Sequence, residues 1–398
     1  MSFENRGHGA NARPTGRENA DMTERRRHAE VSGGGFAGLT AATALAQKGW
    51  SVRLHERSPE LRAEGAGIVL WNNSLQVIDA IKAGPDLMSN SMTPPAYETR
   101  MNNVIQSQET LDGIRWRTLT RPHLHETLLV AAREAGVEIL SGSEVTGATA
   151  DGTISFANGE TAEADLIIGA DGVGSAVRDS LGVPLKRERS RDGITRFLVP
   201  RRKAELQALE PDTEWDNVID FWNLEPRVLR VLYTPANDQE LYIALMAPAA
   251  DAQGSRVPID LELWTSVFPQ LAPVLEDAAK LPGRYYGYQT TRLDRWTEGK
   301  VALIGDAAHA MCPALAQGAG CAMQNAWTLA SAATDGASIP EALKEWEQLE
   351  RPLTDLAQDR SQWYADTREM AKGHQFQGES VTTALYNPTD PHRHEVPA

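Results

Sequence analysis

Three glycine turns are where this chain could do chemistry. The first, Gly33-Gly34-Gly35-Phe36-Ala37-Gly38, has the spacing Gly-x-Gly-x-x-Gly, and Glu56 follows where an adenosine ribose needs a carboxylate. In such a turn one glycine lets the chain bend sharply after a strand. A second lets the backbone reach a pyrophosphate at a helix N-terminus, and a third lets helix and strand pack closely. The second turn, Asp171-Gly172-Val-Gly-Ser175, leads to Arg178. The third, Gly305-Asp306-Ala-Ala-His309, runs through Pro313 to Gly318-Ala319-Gly320. Each follows a strand-like run and comes with a placed acid. Taken singly, each reads equally as a hydrated turn or a helix cap. One nucleotide half-site needs only one, so three imply a long cofactor across the carboxyl edge of a sheet.

The surrounding pattern supplies the elements that would hold these turns. Ala41–Gln47 is helix-forming, Gly49-Trp50 closes it, and Ser51–Glu56 alternates like a second strand. The first strand, Arg27–Val31, is more polar than a buried parallel strand should be. Arg121–Ala135 reads as an amphipathic helix. Residues 148–165 read as a meander turning at Asn158-Gly159, and Leu166–Asp171 as a buried strand. Between about 190 and 290, the runs Phe197–Val199, Val218–Trp222, Arg227–Tyr233 and Leu241–Met246 predict an antiparallel sheet, with helices beside it. Lys300–Gly305 returns to a parallel-type strand, and two long helices follow.

Bulk properties narrow the class. A net charge of -15 argues against nucleic acid or an anionic membrane surface as partner. No apolar run is long enough to span a membrane. Cys312 and Cys321 form no CxxC, which suits a reducing, cytoplasmic setting and small buried fillers, and no metal-ligand spacing stands out.

The three motifs, in this order from about 29 to 370, resemble the FAD-dependent aromatic hydroxylases, the class A flavoprotein monooxygenases that include p-hydroxybenzoate and salicylate hydroxylases. The resemblance implies an α/β fold: a Rossmann-like FAD-binding domain (29–95, 115–190 and 290–371), an inserted antiparallel-sheet substrate domain (96–114 and 191–289), C-terminal helices, and tails at 1–28 and 372–398. It implies that Gly33, Gly35, Phe36, Ala37, Gly38, Glu56 and Arg57 hold the adenosine diphosphate part of FAD. Arg121, Asp171, Asp306, Gly318, Ala319 and Gly320 would hold the remainder, with Pro313 opening the segment at the flavin ring. NADH or NADPH would dock transiently as reductant, O2 and a small aromatic carboxylate would be the other partners, and a homodimer is the common assembly.

Many members carry an acid shortly before an alanine in the helix after the third motif, where this chain has Gln324-Asn325-Ala326. That departure, with stretches such as Gly65–Ile68, Pro94–Thr99 and Leu245–Asp251, is similar to a narrower group oxygenating hydroxypyridine carboxylates in vitamin B6 degradation. The resemblance places Tyr97, Arg230, Tyr242 and Tyr288 in the substrate pocket, with Arg230 as counter-charge to a carboxylate. On strand alternation alone, Arg230 could equally be a surface arginine, and each tyrosine half-buried packing. The expected reaction is hydroxylation followed by ring opening. The alternatives are a salicylate-type hydroxylase that leaves a benzenoid ring closed, or a flavin-binding redox sensor without turnover. A simple NAD-dependent dehydrogenase leaves Gly305-Asp306 unexplained.

Overall fold

The structure, a computed structural model, describes residues 26–61 and 65–368. The expected tails lie outside the described residues apart from 26–28, where Arg27 donates to the Ala333 carbonyl and His28 opens the first strand. Arg62 also lies outside them.

A six-stranded sheet forms the nucleotide side. Its strand order is Thr297–Glu298, Val301–Leu303, Leu166–Gly169, His28–Ser32, Ser51–Glu56, Glu138–Ser141, all parallel except the first. The helix Phe36–Gln47 is apolar or small on nearly every side because it is sandwiched. It lies between this sheet and the helices Arg121–Glu134 and Gly318–Asp335. The expected meander is present as Val145–Ala148, Thr153–Phe156 and Thr161–Glu163, with a left-handed Gly159 at the turn.

A seven-stranded sheet covers the cofactor edge in the order Tyr285–Leu293, Leu185–Pro200, Glu240–Pro248, Leu229–Pro235, Val218–Asn223, Tyr97–Met101, Val104–Glu109. It is antiparallel, as expected, except that Tyr97–Met101 runs parallel to Val218–Asn223. That strand arrives from a much earlier crossing of the chain, so no hairpin dictates its direction. Its central strands are buried on both faces. Ile219, Phe221, Val231, Tyr233 and Ile243 pack with Trp264 and Phe268 on one side. The alternate residues look back toward the glycine turns.

The polarity of the first strand has a physical cause. Glu30 is fully buried, and its carboxylate accepts from His55 Nε2 at 2.7 Å and His28 Nε2 at 3.0 Å while pairing with Arg53. His55 is tied on to Ser143 at 2.8 Å. Burial alone would raise the Glu30 carboxyl, but the bonds from His55, His28 and Arg53 hold it below its ordinary 4.5. A carboxyl held low when folded stabilises the fold above that ordinary value, and the contribution is lost as pH falls through the folded value. Glu30→Gln should therefore lose about 2 kcal/mol at neutral pH and show a flatter decline toward about pH 4 than the wild type. Denaturant titration at the two pH values measures both.

Candidate active site

The glycine turns and the inner face of the seven-stranded sheet enclose one cavity of about 720 Å³. Its floor begins at Gly35, Phe36 and Ala37, passes Ala170, Gly172 and Asp306, and ends at Pro313–Ala316, Gly318 and Ala319. Its roof is built by strand alternation from Tyr97, Arg230, Leu232, Tyr242, Met246, Ile194, Arg196 and Tyr288. Arg284 and the exposed Tyr286 form part of the rim.

Two glycines of the first turn are required sterically. Gly33 has φ +107°, and a Cβ there would lie 2.3 Å from the Ala170 carbonyl oxygen. A Cβ on Gly38 would lie 1.9 Å from the Gly33 carbonyl oxygen, so this glycine closes helix onto strand. Gly35 is different: a Cβ there meets nothing within 4 Å, and no side chain caps the helix that it opens. The free amides and the open space fit a pyrophosphate. Glu56 accepts from the Gly34 and Ser58 amides at 3.0 and 2.9 Å, which fixes its carboxylate beside the turn. Arg57 is exposed and does not line the cavity.

Asp171 also stands outside the lining. Its Oδ2 accepts from the Ala176 and Val177 amides at 2.8 and 3.2 Å, leaving Oδ1 buried without a partner. Arg178 is fully buried and donates to the Val173 and Ala307 carbonyls at 3.1 and 3.2 Å. It ties the second turn to the third and does not reach the cavity. Gly320 has a packing role, since a Cβ there would lie within 3.0 Å of Ser74, Asn73 and Gln317.

Arg121 faces the cavity, with its guanidinium 4.7 Å from the Phe36 ring centroid. Burial and the like charge of Arg196 push it down, with Asp306 opposing. Asp306 opens onto the cavity, yet the protein mass around it pushes its carboxyl up, against the pull of Arg121 and Arg196. The segment that Pro313 opens is two elements. Pro313–Leu315 is a single tight turn, Ala316 takes a left-handed φ of 52°, and the long helix begins at Gly318. His309 sits behind this segment, outside the lining. It lies 3.1 Å from the Asn325 amide and is pushed down to about 4 by burial, so it is neutral.

The roof brings the four expected pocket residues together, but Arg230 is not a free counter-charge. Asp220, which strand periodicity alone did not single out, holds it through Nε and Nη2 at 2.7 and 2.9 Å. Burial works against the Arg230 charge and the Asp220 carboxylate more than offsets this, so Arg230 stays cationic. Burial likewise holds the Tyr97 and Tyr288 hydroxyls well above their ordinary range. They are donors rather than bases near neutral pH. Arg196 is the second residue missed. It shares a face with Ile194 on Leu185–Pro200 and makes no hydrogen bond or ion pair among the described residues. Only the register of that long strand reveals which face meets the cavity.

A family model described as an FAD binding domain matches residues 28–360. The chain belongs to this FAD-binding family. A solved tetrameric form of 2-methyl-3-hydroxypyridine-5-carboxylic acid oxygenase is 55% identical, with a TM-score of 0.88 over 92% of this chain and 97% of that one. That similarity bears out the resemblance to hydroxypyridine carboxylate oxygenases. The 2-heptyl-3-hydroxy-4(1H)-quinolone synthase of Mycobacteroides abscessus is 40% identical over 84% of this chain and 88% of its own length. The 3-amino-4-hydroxybenzoate 2-monooxygenase of Streptomyces cremeus is 28% identical over 88% and 90%. The chain is thus an FAD-dependent aromatic monooxygenase with NAD(P)H as reductant. Among the described residues no helix is long and apolar enough to cross a membrane.

The glycine geometry separates cofactor binding from folding. Gly35→Val should keep the melting temperature of the cofactor-free protein and lose bound FAD, because its side chain enters open space that the pyrophosphate needs. Gly38→Ala should lose both. Flavin absorbance and thermal melting of the stripped proteins distinguish the two.

Proposed function

We propose that this enzyme hydroxylates a hydroxylated N-heteroaromatic carboxylate such as 2-methyl-3-hydroxypyridine-5-carboxylate, and that the ring then opens. The observation that carries this reading is the charge balance of the cavity. Its roof presents the guanidinium groups of Arg196 and Arg230 against one carboxylate, Asp220 behind Arg230, while Arg121 and Asp306 lie on the side that would hold FAD. One positive charge is left over, which matches one aromatic carboxylate. The 55% identity to the hydroxypyridine oxygenase supports the same class. An alkylquinolone, as in the name of the Mycobacteroides relative, has no carboxylate and would leave that charge unmatched.

Glu56, the amides that begin at Gly35, Asp306 and the Pro313–Ala319 segment would hold FAD, and Asp171 would stiffen the turn beside it. Bound and reduced FAD supplies the activated oxygen. The rest is the work of the roof. Arg230 and Arg196 would take the carboxylate, and Tyr97, Tyr242 and Tyr288 would direct the ring and its hydroxyl. The central strands of the sheet, buried on both faces, would keep bulk water from the reacting carbon. Ring opening follows from the substrate: the carbon that bore the ring hydroxyl becomes a carbonyl, one water adds to it, and the bond between the two oxygenated carbons breaks to leave an amide and a carboxylate. A carbon beside the ring nitrogen that bears both a methyl and a new hydroxyl has no proton to lose, so the ring cannot simply regain aromaticity.

The test is oxygen-dependent NADH oxidation with and without 2-methyl-3-hydroxypyridine-5-carboxylate, following the ring absorbance. Strong stimulation with loss of that absorbance is expected, and the carboxamide analogue should bind at least about tenfold more weakly. Stimulation with the ring absorbance retained would favour a salicylate-type hydroxylase. No stimulation by any aromatic acid would favour a flavin-binding sensor.

A further inference from the structure

The roof fixes Arg230 from behind. Trp222 lies directly opposite Arg230 in the pairing of Val218–Asn223 with Leu229–Pro235, and Asp220 opposite Leu232. On the other side of Val218–Asn223, Val218 pairs with Tyr97. Asp220 therefore stands on the diagonal between Arg230 and Tyr97, on the same face as both. It is fully buried and does not line the cavity. It accepts from Arg230 Nε and Nη2 at 2.7 and 2.9 Å, and from the Tyr97 hydroxyl at 3.3 Å. The guanidinium lies 4.3 Å from the Trp222 ring centroid, so its plane is held as well as one of its edges. Nη1 makes no hydrogen bond among the described residues, while Arg230 itself lines the cavity.

An arginine used this way differs from a free one. A free buried guanidinium attracts any anion by charge and offers a two-pronged fork. Here one edge is taken and the charge is balanced, so what reaches the cavity is a directional N–H donor rather than a strong field. We propose that Asp220 is a positioning residue for substrate selection. It aims Arg230 and Tyr97 at the aromatic acid and suppresses the attraction that Arg230 would otherwise have for small inorganic anions. This inference rests on the reading of the substrate as an aromatic carboxylate.

The experiment compares Asp220→Asn with the wild type in the flavin-loaded enzyme, using 2-methyl-3-hydroxypyridine-5-carboxylate as substrate and sodium chloride as the competing anion. In the variant the KM for the acid should rise about tenfold, the size of one lost charge-assisted hydrogen bond, with kcat near the wild-type value. Arg196 already faces the cavity unpaired in the wild type, so chloride should inhibit the variant competitively at a concentration about tenfold below that needed for the wild type, an effect that loosened packing alone would not produce. Asp220 acts through Arg230, so Asp220→Asn should add no chloride sensitivity in an Arg230→Gln background. That neutral double variant also avoids an unpaired buried charge if the single variant fails to fold. A folded Asp220→Asn enzyme with wild-type KM and wild-type chloride inhibition would overturn the inference, as would added chloride sensitivity that Asp220→Asn confers in the Arg230→Gln background. A wild type not stimulated by any aromatic acid would instead defeat the functional reading.

Discussion

A guanidinium buried without a carboxylate would leave a desolvated cation in the roof of the cavity, and the arrangement of the roof follows from avoiding that. Arg230 can face the cavity only because Asp220 is inserted one strand away on the same face. Asp220 can be buried in turn only because Arg230 and Tyr97 both donate to it. The opposite face of the same strands is largely apolar, with Phe221, Val231 and Tyr233 packed under Trp264 and Phe268. A slip of one residue in register would exchange the two faces, burying the charged pair in that core. Packing on one face thereby enforces chemistry on the other.

The floor solves a different problem, which is to present backbone rather than side chains. Where a Cβ would collide, at Gly33 and Gly38, the glycine closes the fold; where it would meet open space, at Gly35, the glycine leaves room for a ligand. Behind the third turn the groups are kept neutral. His309 is uncharged, Asn325 bridges it to Thr354 at 3.0 Å, and Gln324 accepts from Asn73 at 3.3 Å. That network gives a physical reading of Gln324-Asn325 in place of an acid: a carboxylate there would draw a proton onto a histidine buried against Trp296.

Much of this is legible in the sequence. Glycine spacing and strand periodicity gave the nucleotide turns, because local backbone demands leave a local mark. Resemblance, rather than periodicity, gave Tyr97, Arg230, Tyr242 and Tyr288. Asp220 and Arg196 were missed because their roles depend on strand register across the roof, which is a relation between distant segments. Glu30 looked anomalous in its strand for the same reason, since its partners His55 and Arg53 lie on the neighbouring strand. Asp171 and Gly320 carry the right residue types but act on the backbone around the site rather than in its lining.

The central claim is that this cavity directs oxygen from O2 onto the ring of an aromatic carboxylate. Turnover of 2-methyl-3-hydroxypyridine-5-carboxylate under isotopically labelled O2, with mass analysis of the product, tests it most directly. The account predicts a ring-opened product carrying one labelled oxygen atom per molecule. Labelled hydrogen peroxide with unchanged acid, or a product whose added oxygen comes only from water, would contradict it.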